Sequence, residues 1–231
     1  MIYLGIDTSN SPLSLALVEN ERVLIEETSN LKINHSLTVM PAIEEMMKKA
    51  TIAPSDLTHI AVAEGPGSYT GVRIGLTIAK TLAWSLKVPL HLVSSLKVLA
   101  ANGEGFEGII CPVIDARRGT AFIGLYEGVG LETIIADQHS DVKEFLLKVK
   151  KLHRPVLFTG VDAVVHKAVI EEVLGEQAQW SGIQHQLPRA SNLILLAQQS
   201  EESAVHHAVP QYRRITEAEA TYNKAQEGKR V

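Results

Sequence analysis

The 231-residue sequence contains one cysteine, Cys111, which excludes any disulfide within the chain and any cysteine-based zinc site. No run of about 18 uncharged apolar residues occurs, so no segment is expected to span a membrane. The start, Met1-Ile2-Tyr3-Leu4-Gly5-Ile6-Asp7, has no basic cluster and carries an early carboxylate, unlike a secretory leader, and the expected compartment is the cytoplasm. An excess of positive charge is also lacking. Against 26 acidic residues stand 22 Lys and Arg, a net charge of −4, which argues against general affinity for a nucleic acid backbone. Gly-Lys-Ser/Thr, Gly-Gly, His-x-x-x-His and Gly-x-Ser-x-Gly are all absent, so a P-loop, a helical histidine metal site and a nucleophile elbow find no support.

What is present is ordinary globular material, 45% hydrophobic and 21% charged, long enough to bury a core without a covalent or metal staple. Residues 2–7 form an apolar run closing on Asp7; residues 13–18 alternate, with Leu13, Leu15 and Leu17 on one face, and turn formers lie between. A third strand is expected near 23–27, a helix over 36–50, a strand over 59–64, a helix over 72–87 and a strand over 90–93. The stretch 102–108 reads as a linker between an N-terminal lobe, 1–101, and a C-terminal lobe, 109–231. Beyond it, 109–115 is again an apolar run closing on an aspartate, and Ala121, Ile123 and Leu125 alternate. Asp7 and Asp115 lie 108 residues apart, as do the two alternating runs, so the strand–turn–strand unit reads as an internal repeat. Helices are expected near 141–152 and 162–174, with Asp141 and Asp162 as N-caps, a strand at 156–159, and a last helix over 191–208. His206 and His207 are expected as exposed residues of that helix, and Cys111 as a core thiol. The tail 212–231 has five basic and three acidic residues with little to bury, and is expected to be exposed or mobile.

A duplicated hairpin with an aspartate at each first bend suits a cleft for a metal–nucleotide complex, with Asp7, Thr8, Ser9 and Asp115 as contacts. Aspartates that simply cap turns explain it equally well. The turn Gly65-Pro66-Gly67-Ser68-Tyr69-Thr70-Gly71 has the strand–glycine–helix order of an anion site, but its spacing reads better as a tight connection capped by Ser68 or Thr70. On the adenosine side the nearest match is Thr159-Gly160-Val161-Asp162, where β-branched Val161 stands in place of a glycine and blocks close approach of a base or ribose.

The first helix carries an apolar arc of roughly 160–180°, wider than the ~100° needed to cover one sheet. Three methionines (Met40, Met46, Met47) lie on it, and on the second helix Trp84 falls beside Arg73 and Thr77, outside the apolar arc. A second burial surface toward another molecule accounts for both features; cover by a neighbouring element of the same chain is the alternative.

The stretch Ala61 to Gly75, containing Gly-Pro-Gly-Ser-Tyr-Thr-Gly-Val-Arg, resembles the signature of the TsaB (YeaZ) family. So do Ile6-Asp7-Thr8-Ser9, Val93-Ser94-Ser95-Leu96, Ile114-Asp115-Ala116-Arg117-Arg118-Gly119 and Tyr212-Arg213-Arg214. The resemblance is close over 1–126 and weaker over 188–222. It implies an α/β fold of the actin-like ATPase (ASKHA, ribonuclease H-like) type, two related lobes of mixed sheet flanked by helices. It also implies a non-catalytic subunit required to form N6-threonylcarbamoyladenosine at position 37 of tRNA, activating the transferase TsaD together with the ATPase TsaE. The expected contacts are with TsaD and TsaE, with a homodimer when TsaD is absent, and with tRNA only through the complex. No cofactor of its own is expected; ADP or ATP at the complex interface stays open, with Asp7, Thr8, Ser9, Asp115 and Gly160 as a vestigial nucleotide cleft. TsaD-like sequences carry His-x-x-x-His after the second helix, where this sequence has Ser95 and Leu99, and a leucine cannot ligate a metal. The family's pairing through its first two helices implies partner contacts at Val39, Met40, Ile43, Met47, Arg73, Thr77 and Trp84. The competing reading is an active actin-like small-molecule kinase or ATPase.

Overall fold

The run Ile2–Asp7 (β1) returns antiparallel as Leu13–Glu19 (β2), pairing Leu4 with Leu17 and Asp7 with Ser14. These contacts belong to a computed structural model that describes residues 1–31 and 34–213. Arg22–Ser29 (β3) continues the meander beyond β2. Two helical crossovers then add parallel strands on the other side of β1. Helix α1 (His35–Ala50) leads to β4 (His59–Ala63), and α2 (Tyr69–Leu86) leads to β5 (Leu90–Val93), giving the order β3-β2-β1-β4-β5.

After α3 (Ser95–Ala100) the scheme recurs. A meander of β6 (Ile109–Asp115), β7 (Thr120–Glu127) and β8 (Glu132–Asp141) is followed by α4 (Val142–Lys150), β9 (Val156–Thr159), α5 (Lys167–Leu174) and β10 (Ala178–Trp180). The second sheet runs β10-β9-β6-β7-β8, the first order read from its other edge with every strand advanced by five. The repeat expected from two hairpins therefore extends to whole five-stranded units, each with antiparallel pairings on one side of its central strand and parallel pairings on the other. Two such mixed sheets flanked by helices make the actin-like ATPase architecture.

Each sheet buries both faces. On the first, Leu4, Ile6, Leu15 and Leu17 meet Val39, Ile43, Met46 and Met47 of α1 and Leu76, Ala79 and Ala83 of α2. The opposite face is covered by α6 (Ala190–Gln198), whose Leu193, Ile194 and Ala197 pack on Tyr3, Ala16 and Ala61. Gly5 permits that approach, since a Cβ there would lie 2.9 Å from both the Ala190 carbonyl oxygen and Ile194 Cγ1. Conversely α3, which follows the first sheet in sequence, packs Leu96, Leu99 and Ala100 onto Ile110, Ile114 and Phe122 of the second. The last helix, expected as part of the 109–231 lobe, thus covers the first sheet, and the two halves exchange a helix each.

Several local expectations are corrected. The last helix stops at Gln198, ten residues before the expected Ala208, and Ser200 Oγ turns back onto the Ala197 carbonyl at 2.9 Å. His206 and His207 are exposed, but lie in a turn closed by the His207 N–H on the Ala204 carbonyl. Asp141 caps α4 by accepting from the Glu144 N–H, whereas Asp162 caps nothing: a 3-10 turn, Val161–His166, precedes α5. The stretch 102–108 opens in a 3-10 turn, and Asn102 donates to the Leu187 carbonyl at 2.7 Å. Strands β8 and β10 and helix α3 had no counterpart in the sequence reading. Of the expected tail, residues 214–231 lie outside the described residues.

Candidate functional site

Parallel strands carry their C-terminal ends to one rim, and there the expected cleft residues gather. Asp7, 1% exposed, ends β1; its Oδ1 accepts from the Ser9 N–H at 2.9 Å and the Ser9 hydroxyl at 2.7 Å, while its Oδ2 has no partner. Burial pushes the Asp7 carboxyl above the ordinary carboxylate range, against the lowering effect of the Ser9 hydrogen bonds. Thr8 Oγ1 donates to the Gly71 carbonyl at 2.7 Å, and the Ser68 N–H donates to the Ser9 carbonyl at 2.7 Å.

The glycine-rich turn owes its composition to this neighbour. A Cβ at Gly67 would lie 2.0 Å from the Ser9 oxygen, one at Gly71 2.2 Å from the Thr8 oxygen, and one at Gly75 2.4 Å from Thr8 Oγ1. The glycines let the start of α2 lie directly on the Asp7–Ser9 turn, and Ser68 caps the helix by accepting from the Gly71 N–H at 3.3 Å. Of the two readings of this turn, the geometry is that of a tight, capped connection.

In the second lobe Asp115 ends β6, and its Oδ1 meets His166 Nε2 at 2.9 Å. The Asp115 N–H donates to Asp162 Oδ2 at 3.1 Å, and the same oxygen accepts from Asn10 Nδ2 of the first lobe at 3.2 Å. Asn10, Asp162 and Asp115 thus bridge the cleft, and buried His166 holds the Asp115 carboxylate. Gly160 has φ +98°, and a Cβ there would lie 2.6 Å from the Val113 oxygen, so it serves close backbone approach to β6. His166 and Asn10 went unnoticed in the sequence, because neither has a local pattern that ties it to an aspartate so far along the chain. Among the described residues no group of three or more His, Cys, Asp or Glu is placed to hold a metal ion.

A second polar junction lies between the lobes. Asp137 of β8 accepts from the Ser94 hydroxyl, at the start of α3, and from the Tyr126 hydroxyl. Burial, then the Asp137 charge, pushes the Tyr126 phenol far up. Burial also raises the Glu64 carboxyl, with Arg213 working in the opposite direction. Ser95 Oγ accepts from the Gly65 N–H at 3.1 Å and Leu99 packs in the second sheet's core, so the two positions where TsaD-like sequences hold histidines serve structure here.

The expected partner face divides in two. Val39, Ile43 and Met47 are buried in the chain's own core, so these three are corrected: the wide arc of α1 has two neighbours within the chain, the sheet and α2. Exposed instead are Leu37 at 71%, Met40 at 45% and Trp84 at 65%, together with Thr77 and Arg73. Helix α2 has only two charged residues, Arg73 and Lys80, and both turn toward the segment that follows α6. Arg73 Nε donates to the Tyr212 hydroxyl, and its guanidinium lies 3.9 Å from the centre of the Tyr69 ring. Lys80 Nζ donates to the Ala208 carbonyl at 2.7 Å. The exposed positions of α2 are Tyr69, Thr70, Arg73, Thr77, Thr81, Trp84 and Ser85, with Arg73 the one charge among them.

A family model described as TsaD, tRNA N6-adenosine threonylcarbamoyltransferase, matches residues 23–225. A relative from Bacillus subtilis (strain 168), named tRNA threonylcarbamoyladenosine biosynthesis protein TsaB, is 46% identical over 228 residues, 98% of this chain and 100% of that protein. The chain belongs to the TsaB family. The Escherichia coli (strain K12) TsaB is 30% identical over 129 residues, 55% of each chain. The solved structure of YeaZ from Pseudomonas aeruginosa superposes with a TM-score of 0.76 at 23% identity, covering 91% of this chain and 99% of that one, which shows the shared fold. In this TsaB-family chain no helix among the described residues is long and apolar enough to cross a membrane.

Proposed function

We propose that this chain is a non-catalytic subunit of the cytoplasmic apparatus that forms N6-threonylcarbamoyladenosine on tRNA, and that it docks onto a TsaD-family transferase through the outer faces of α1 and α2. The observation that carries the reading is the 18-residue helix α2, exposed on one side and bearing a single charge there, Arg73. Charged residues are depleted at interface centres, where their desolvation is costly. Leu37, Met40 and Trp84 supply exposed apolar anchors on the same surface. Without the transferase the same face pairs two copies of this chain, and TsaE and tRNA join through the transferase.

The cleft supports the non-catalytic part. Asp115 is engaged by His166, Thr8 by Gly71 and Gly160 by the β6 backbone, and β-branched Val161 follows Gly160. Their engagement within the chain supports the expectation that it has no nucleotide cofactor of its own. One feature favours a second reading, an actin-like kinase or ATPase: the buried, unpartnered Oδ2 of Asp7 is a free acceptor at the rim.

The test is threonylcarbamoylation of tRNA by TsaD, TsaE and the enzyme that makes threonylcarbamoyl-AMP, with and without this chain. The expected result is that modification requires this chain, and that Asp7→Ala with Asp115→Ala supports it as well as wild type. Loss of modification by a double variant that still binds TsaD would favour the second reading.

A further inference from the structure

The segment after α6 is bound along the edge of the first lobe by contacts of several kinds. The Ser203 N–H donates to the Leu90 carbonyl at 2.8 Å, forming an isolated bridge on edge strand β5. Ala208 is buried in the first core. The Gln211 N–H donates to the Glu64 carbonyl at 2.9 Å. Tyr212 stacks on Tyr69 with ring centres 5.0 Å apart. Residues 203–212 therefore form a strap beside α2, on the flank away from α1.

Its hydrogen bonds with α2 fall on that helix's two cations. The strap engages Arg73 and Lys80, the two cations of that helix, and offers each an oxygen: the Tyr212 hydroxyl to Arg73 and the Ala208 carbonyl to Lys80. The Arg73 guanidinium is further held over Tyr69 at 3.9 Å, with the Tyr212 ring centre 5.5 Å away. A guanidinium held on two rings and a hydroxyl is oriented along the strap rather than outward. Were Tyr212 absent, a long, flexible cation would be free to sweep the surface formed by Thr70, Ile74 and Thr77.

We propose that the strap conditions partner docking: Tyr212 is a positioning residue that draws Arg73 aside and so keeps the one charge on the exposed side of α2 away from Thr70 and Thr77. The proposal rests on the reading that this face docks the transferase, and it adds that docking depends on the strap that borders that face. A partner helix laid on α2 then meets threonines, Ser85 and Trp84, and an unheld Arg73 would have to be desolvated at the contact.

The experiment is a double-mutant cycle on the full chain, with affinity for the purified TsaD-family transferase read by titration calorimetry. Tyr212→Ala is expected to weaken docking on the order of tenfold, Arg73→Gln to stay within about threefold of wild type, and the pair to recover to near the Arg73→Gln value. Recovery by a second substitution is a result that general damage to the strap would not produce. A double variant as weak as Tyr212→Ala, an undiminished Tyr212→Ala, or an Arg73→Gln as weak as Tyr212→Ala would each overturn the proposal; the last would make Arg73 a direct contact. Thr77→Asp separates the two levels. If it docks like wild type, the face itself is wrong and the strap's role falls with it. If it fails to dock while the cycle shows no recovery, only the strap's role is lost.

Discussion

Gly67 presses its Cα against the carbonyl of Ser9 so closely that a methyl group would stand 2.0 Å from that oxygen. The oxygen already accepts from the Ser68 N–H, so neither partner has slack. Gly67→Ala is expected to destabilise the fold by more than about 2 kcal/mol, through displacement of the α2 N-terminus. Gly105→Ala provides the contrast: its φ is +88° but nothing lies within 4 Å, so only backbone strain of about 1–2 kcal/mol is expected. Urea unfolding of both variants checks the order.

Tyr3 and His59 stack with ring centres 4.3 Å apart, and His91 lies 5.6 Å from His59. Burial lowers both imidazole pKa values; mutual repulsion adds to this at His59, while Glu202 works against it at both. A histidine with a lowered folded pKa binds fewer protons folded than unfolded, so its stability contribution is present above the unfolded value, about 6.5, and is lost as pH falls below it. Asp7 and Glu64, raised by burial, have the opposite slope at lower pH. The difference between wild type and His91→Gln isolates the histidines: the unfolding midpoint of the variant should fall less between pH 7 and pH 5.

Glu26 of β3 ties down the start of α6, accepting from the Ser191 N–H at 2.9 Å, the Ser191 hydroxyl at 2.7 Å and Arg189 Nε at 3.1 Å. Burial pushes its carboxyl up, but the hydrogen bonds from Arg189 and Ser191 outweigh that and hold it below the ordinary range. Its contribution is therefore present above the unfolded carboxyl pKa and lost as pH falls through the folded one. Glu26→Ala is expected to cost about 1–3 kcal/mol and to raise amide exchange in α6, read by hydrogen–deuterium exchange.

Thr77 stands at the centre of the outward side of α2. Thr77→Asp should leave the unfolding midpoint nearly unchanged, because the side chain is exposed. It should weaken binding of the transferase by about 2–5 kcal/mol, because the partner would have to bury an unpaired carboxylate.

The hairpins of the repeat were legible because alternation and a closing aspartate recur in one register. Strand β8 was not: Glu132–Asp141 is half exposed and polar at the sheet edge, without the apolar run that marks a buried strand. Helix α3, six residues long, is too short to show a period. The over-long last helix had no glycine or proline to mark its end at Gln198. At the site, the rim positions of Asp7 and Asp115 followed from the pattern. Their partners did not, since the Asn10–Asp162 and Asp115–His166 contacts join residues 152 and 51 apart. Width alone could not say which neighbour covers Val39, Ile43 and Met47, because an arc facing a sheet and a sister helix looks like an arc facing a second protein.

The exchange of α3 and α6 sets the order in which the chain can mature. As the protein leaves the ribosome, the first sheet is complete by Val93, yet Tyr3, Ala16 and Ala61 stay bare until Ala190–Gln198 has emerged. The N-terminal half is born with an open flank, and a break at 102–108 would yield two fragments each missing its lid. The locking step therefore waits for Ala190–Gln198, and a nascent chain stalled before Ala190 presents this bare flank to chaperones.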